Sequence, residues 1–320
     1  MKKYKLKYIS IILSLSFILC AILSCGTDSV DMSPDKILSD IIKSYQTNGM
    51  TSWWEIAAVY NAGENPTHYV GFDEILNSLD GSTILKTASY VTVVNIAVAT
   101  STNADEEYKQ YFSEYEPYKA QLKDFLENPS ADNTINNYIY AYYALKCSGM
   151  IFDETAFVEY MVSAQKDDGG YSLSGNTGDV DVTAAAIQAL QLLASYNSSV
   201  GVKKTFDGAV IFLETNINEN GTFSSYDTEN ANSTACAISA LISCTNEDAY
   251  STENQTLKNA IDGLAVFKMP KETGYSYKEG DKNNNPLATA QAAIALSDVK
   301  NKTSVWETLY IDSLSIFAQE

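Results

Sequence analysis

Two carboxylates stand two residues apart in Gly178-Asp179-Val180-Asp181-Val182-Thr183-Ala184, directly before an alanine- and leucine-rich stretch. A pair of acids at the edge of an apolar helix is a candidate for acid–base chemistry. In a dry cavity, burial and a like-charged neighbour keep one carboxyl protonated and able to give up a proton. The plain alternative is architectural, because Asp at a helix start accepts hydrogen bonds from free backbone N–H groups. Asp181, Ser233 and Asn285 all stand where such a cap belongs. The cap reading carries more weight for Asp181, since Asn232-Ser233 and Asn285 occupy the same place without an acid pair.

Other chemistries find little support. His68, in Pro66-Thr67-His68-Tyr69, is the one histidine, and there is no Cys-x-x-Cys. Zinc held by Asp, Cys and His, and Ser-His or Cys-His nucleophilic catalysis, would each have to use that loop residue. No metal and no cofactor is therefore expected. Every basic residue is lysine, and four of the 21 lie in the first eight positions, leaving 17 against 40 acidic residues. Nucleic acid is excluded as a partner, because phosphate binding needs a basic stripe. Diphosphate substrates are disfavoured without the arginine fork.

These residues need elements to position them, and the chain repeats itself to supply them. Gln165-Lys-Asp-Asp-Gly-Gly-Tyr171 leads into Asp181–Leu190, Asn220-Gly-Thr-Phe223 into Ser233–Leu241, and Thr273-Gly-Tyr275 into Ala288–Leu296. Tyr171, Phe223 and Tyr275 recur every 52 residues. A period of this length with helical patterns on both sides of a Gly-aromatic turn predicts an array of helix pairs. The pairs are Asp35–Gln46 with Trp53–Ala62, Phe72–Leu79 with Ile84–Ala99, and Asp105–Leu126 with Asn133–Cys147. Then follow Thr155–Gln165 with Asp181–Ala194, Val202–Asn216 with Ser233–Cys244, and Thr252–Phe267 with Leu287–Asp298. The second member of each is the more apolar, as an inner helix must be. Trp306–Ala318 is a closing helix, and no alternating run argues for a sheet.

The N-terminus reads as targeting rather than structure. Lysines precede the apolar run Ile9–Leu23, and Ile22-Leu-Ser-Cys25 follows. This resembles the lipobox of bacterial lipoproteins, which implies a signal peptide over 1–24, a lipidated Cys25 and a tether over 25–34, with the array of helix pairs taking up 35–320. The alternative is an ordinary secretory signal that contains a cysteine. The expected location is the extracytoplasmic face of the cell envelope, held to the membrane through lipid alone. Cys147, Cys236 and Cys244 read as buried thiols.

The repeat, Gln-x-x-x-Gly-Gly-aromatic followed by Asp-x-Thr-Ala, resembles that of the terpene cyclase and protein prenyltransferase superfamily over Phe152–Asp298, and more thinly over Trp53–Met150. The resemblance implies an all-α (α/α)6 toroid of six inner and six outer helices plus a short C-terminal helix. Asn133–Leu145 and Asn285–Gln291 point, within it, to exported bacterial relatives of the helical domain of intrinsic factor and transcobalamin. Gly178–Ala184 is similar to the Asp-x-Asp-Asp-Thr-Ala motif of class II terpene cyclases. There Asp181 matches the middle acid that protonates an alkene or epoxide, Asp179 matches the first, and Val182 replaces the third.

The function expected from these readings is non-catalytic binding of a small molecule, a corrinoid for instance, at the toroid mouth. The expected contacts are Trp54, Tyr171, Asp179, Asp181, Thr183, Tyr226, Asn232, Thr234, Tyr275, Thr289 and Gln291. A separate β-domain or envelope protein would complete such a site. Three alternatives stand beside it. One is a class II cyclase-like enzyme with Asp181 as general acid. Another is a structural or adhesion scaffold with a filled centre. The third is a glycosidase or lyase using two carboxylates across a cleft, such as Glu55 and Asp181.

Overall fold

The computed structural model describes residues 33–101, 112–130, 133–193, 199–244 and 254–317. The expected signal peptide, Cys25 and most of the tether lie outside these residues, as do the ends of the helices expected to reach Asp105, Ala194, Thr252 and Ala318. The chain divides into two compact units, residues 1–36 and Ile37–Glu320. No helix among the described residues is long and apolar enough to cross a membrane.

Thirteen α-helices follow one another among the described residues: α1 Pro34–Asn48, α2 Trp53–Asn61, α3 Phe72–Ser78, α4 Ile84–Thr100, α5 Phe112–Glu127, α6 Ile135–Lys146 and α7 Thr155–Ala164. They continue as α8 Val180–Gln191, α9 Val200–Thr215, α10 Ala231–Ser243, α11 Gln255–Leu264, α12 Pro286–Asn301 and α13 Val305–Phe317. The even-numbered helices from α2 to α12 touch in sequence, and α12 returns to α2, so six inner helices close a ring. This is the expected α/α toroid. Alanine permits the close approach: Ala184, Ala186 and Ala189 on α8, Ala235, Ala237 and Ala240 on α10, and Ala288, Ala292 and Ala295 on α12 are all buried. Helix α13 packs against α2, α4 and α12. One short hairpin, β1 Ser224–Ser225 with β2 Thr228–Glu229, interrupts the helical pattern.

The Gly-aromatic turns are locked to the inner helices by one repeated device. The backbone N–H of Tyr171 donates to Thr183 Oγ1 at 2.8 Å, that of Phe223 to Thr234 Oγ1 at 3.0 Å, and that of Tyr275 to Thr289 Oγ1 at 2.9 Å. Each aromatic carbonyl then accepts from the N-cap residue of the helix it precedes, namely Asp179, Asn230 and Asn285. The turn glycines bring neighbouring repeats together. A β-carbon on Gly169 would strike the Gly208 carbonyl, and one on Gly221 would strike the Asn259 carbonyl.

The helix starts correct one expectation. Asp181 and Ser233 are not caps. The cap of α8 is Asp179, whose extended backbone lets its carboxylate accept from the N–H groups of Asp181 and Val182. The cap of α10 is Asn230, which accepts from Ser233 N–H at 2.8 Å. Asn285 does cap α12, with Pro286 as its first residue.

Candidate functional site

Four of the inner helices turn a stripe toward the ring axis, and spacings of three or four residues place these side chains on one face. On α6 the stripe is Asn136, Tyr140 and Tyr143; on α8 it is Asp181, Ala185 and Gln188; on α10 it is Cys236 and Ser239; on α12 it is Gln291 and Ile294. Together with Trp54, Val182, Ala235, Val305 and Trp306 they line a central cavity of about 200 Å³.

One wall is aromatic. Trp53 stacks on Trp54 with ring centres 4.1 Å apart, and Tyr140 meets Trp54 edge-on at 6.0 Å. Trp306 lies nearly parallel to Tyr143 at 4.3 Å and reaches Trp53 and Tyr140 at 6.3 and 6.4 Å. The Tyr143 hydroxyl donates to the Ala185 carbonyl, tying α6 to α8.

The facing wall holds the acid. With Asp179 serving as cap and also accepting from the Ser225 hydroxyl at 2.5 Å, Asp181 is left free of the helix terminus. Its Oδ1 is buried without a hydrogen-bond partner. Burial pushes the Asp181 carboxyl up to about 6, a hydrogen bond with Ser233 works against this, and Asp179 adds to it. Ser233 Oγ accepts from Asn230 Nδ2 at 2.9 Å, which leaves its hydroxyl proton for the Asp181 carboxyl. Burial raises the phenol of Tyr140, with the charges of Cys236 and Asp181 contributing. It raises the Cys236 thiol as well, which both aspartates oppose ionising. A neutral phenol and a carboxyl titrating near pH 6 thus share one small space.

At the far end, Ser239 joins the cavity to a buried polar knot. Asp298 is pushed up to about 8 by burial, against hydrogen bonds with Ser239, Asn61 and the Val305 backbone. Asn61 Nδ2 donates to Asp298 Oδ1 at 2.6 Å.

Of the residues expected at a ligand site, Trp54, Asp181 and Gln291 line the cavity, and Asn232 donates to Gln291 Oε1 at 2.5 Å. Tyr171, Thr183, Thr234, Tyr275 and Thr289 are buried in the turn clamps, Asp179 is the cap, and Tyr226 is exposed at a left-handed backbone position. Glu55 does not pair with Asp181: its carboxylate is occupied by the Thr51 and Ser52 N–H groups at the start of α2. Tyr140, Tyr143, Gln188, Cys236, Ser239 and Trp306 were not anticipated as cavity residues. Cys147, Cys236 and Cys244 form no disulfide with one another; Cys147 and Cys244 are buried and Cys236 is half-buried. No group of three or more His, Cys, Asp or Glu is placed to hold a metal among the described residues.

No protein-family model matches the chain, and no curated protein matches it. Among solved structures, it is similar to a possible member of the GH105 family from Salmonella enterica serovar Paratyphi A, at 11% identity and a TM-score of 0.56, over 86% of this chain and 97% of the other. It is also similar to a polysaccharide lyase, at 13% identity and a TM-score of 0.55, over 84% and 98%. A third similarity is to a sugar epimerase from a ruminal bacterium, at 11% and 0.52, over 84% and 86%. At these identities the likeness is one of fold, the α/α toroid. The expectation of non-catalytic binding of a small molecule, a corrinoid for instance, at the toroid mouth is overturned, because these neighbours are named as a possible GH105 member, a polysaccharide lyase and a sugar epimerase. Nor is the centre solid, as a pure scaffold requires.

Proposed function

We propose that the chain is an enzyme acting on a carbohydrate in the central cavity, with Asp181 as the group that transfers a proton. The observation that carries this reading is the freedom of Asp181. Asp179 takes over the cap, and Asp181 is left with an unpartnered oxygen in the same lining as Trp54, Tyr140 and Trp306. A sugar ring has an apolar face for an indole and a polar rim for hydrogen bonds, which fits a pocket of aromatic walls and a few polar groups. A carboxyl titrating near pH 6 is matched to general acid–base work close to neutrality. The carbohydrate-active neighbours support the same substrate class.

A second carboxylate does not line the cavity among the described residues. Paired-carboxylate hydrolysis, with its two acids flanking the scissile bond, is therefore not the chemistry we assign. Asp181 instead exchanges a proton with a carbon or oxygen of the bound ring, while the un-ionised Tyr140 phenol is available to hydrogen-bond a ring substituent. The lipobox-like Ile22-Leu-Ser-Cys25 supports placing this enzyme at the extracytoplasmic face of the envelope.

The test is turnover of a panel of oligosaccharides followed by NMR in heavy water. Product formation or deuterium exchange at a sugar carbon is expected in the native chain, with a loss of about 10²- to 10⁴-fold in Asp181→Asn. Undiminished turnover in that variant would sink the assignment.

A further inference from the structure

Three buried acceptors near the cavity lack hydrogen-bond partners: Asp181 Oδ1, Gln188 Oε1 and Asn232 Oδ1. Asp181 and Gln188 belong to the lining itself, and Gln188 is only 6% exposed. Its amide nitrogen makes just one long contact, 3.4 Å to the Ala184 carbonyl one turn back. Unpaired buried acceptors carry a desolvation cost, which a ligand removes only by bringing donors. Hydroxyl groups are such donors, and a uronate has one fewer of them than the neutral hexose, its C6 hydroxyl being replaced by a carboxylate that offers none.

The charges agree. No lysine lines the cavity, and the whole sequence lacks arginine, so nothing in the lining would pair a uronate. Lys278, beside Tyr277, is exposed and stands outside the lining. Asp179 and Asp181 would repel an anion at the inner-helix starts, and the acidic excess of the chain would disfavour the approach of a polyanionic glycan. Size narrows the choice further. A cavity of about 200 Å³ lies below the roughly 300–1,000 Å³ of sites that enclose drug-sized ligands.

From this juxtaposition of orphaned acceptors, aromatic wall and missing cation we infer that the cavity takes a single uncharged sugar ring, such as the end unit of a neutral glycan, and rejects uronates. This rests on the carbohydrate reading above and sharpens it. Trp54 and Trp306 stack on the ring, Gln188 and Asp181 accept from its hydroxyls, and further units of a longer chain lie beyond the mouth.

The test is equilibrium binding to the purified full chain near pH 7, followed by quenching of tryptophan fluorescence. Matched probes are neutral methyl hexopyranosides, the corresponding methyl hexuronosides, and neutral disaccharides. The neutral glycoside is expected to bind at least about tenfold more tightly than its uronate partner, with less than about a threefold gain from a second ring. Gln188→Leu, checked for folding by thermal melting, is expected to lose about tenfold for the neutral probe. Equal or tighter uronate binding would overturn the inference while leaving a carbohydrate enzyme in place. A tenfold gain from the second ring would overturn the single-ring assignment. If neither class binds, the carbohydrate reading falls together with the inference.

Discussion

Asn61 and Asp298 meet across 237 positions of sequence, with the Asn61 amide donating to the Asp298 carboxyl at 2.6 Å. The contact joins α2 to α12, the first and last inner helices, and is the polar seam at which the ring closes. Asn301 adds a second stitch by donating to the Asn61 carbonyl at 2.8 Å.

The seam makes stability depend on pH. Asp298 rises from an ordinary 3.8 to about 8 in the folded ring, so between these values the folded chain holds a proton that the unfolded chain has released. Stability therefore falls as pH rises through that interval. Asp298→Asn keeps an acceptor for Asn61 without the titration. Thermal melts at several pH values are expected to show a much flatter dependence between about 6 and 8 in this variant. Asp298→Ala, which leaves the Asn61 amide only the Ile294 carbonyl at 3.2 Å as acceptor and opens a hole, is expected to lose a few kcal/mol at every pH.

Asp179 and Asp181 are expected to separate cleanly. Asp179→Ala removes the cap of α8 and the Ser225 contact, at a cost of about 1 kcal/mol or somewhat more. Asp181 rises from 3.8 to about 6 on folding, so Asp181→Asn removes a loss of stability that builds up between these values; its melting temperature is expected to match the native chain's below 3.8, to gain on it up to about 6, and to keep that gain at higher pH. Activity should follow the opposite order, surviving the first change and failing in the second. A single ionisation near pH 6 in the rate profile would report Asp181 directly.

Thr234→Val is nearly isosteric and takes away the acceptor for the buried Phe223 N–H. An orphaned buried donor costs about 1–3 kcal/mol, and urea unfolding is expected to show a loss of that size. A change within error would mean the threonine clamp is incidental to the turn.

Gly221→Ala faces two obstacles at once. Its φ of +82° is one that side chains resist, and the added methyl would collide with the Asn259 carbonyl on the next outer helix. A loss exceeding about 2 kcal/mol is expected, larger than at Gly175, which has the same φ and nothing within reach of a β-carbon.

The helix pairs were legible because a 52-residue period in Gly-aromatic turns is a property of local sequence. The role of Asp181 was not. Two acids two positions apart both suit a helix start, and only the extended backbone at Asp179, φ −122° and ψ 141°, decides which one caps. Gln188 follows Asp181 by seven residues and Tyr140 follows Asn136 by four, so a stripe analysis of the inner helices would have found them. Trp306 had no such signal, since a residue of the closing helix reaches the cavity only through the three-dimensional path of α13. The hairpin between Ser224 and Glu229 was also hidden, because two-residue strands leave no alternation to read.

The threonine clamp separates what must stay fixed from what is free to vary. Phe223 and Thr234 are tied to each other, so the stretch between them is anchored at both ends whatever it contains. The same holds between Tyr171 and Thr183 and between Tyr275 and Thr289. Apart from the caps Asp179, Asn230 and Asn285, and from Asp181 and its neighbour Ser233, each rim segment is in effect an interchangeable cartridge. Transplanting one between repeats, or from another toroid, should redirect what reaches the mouth without disturbing the barrel beneath it.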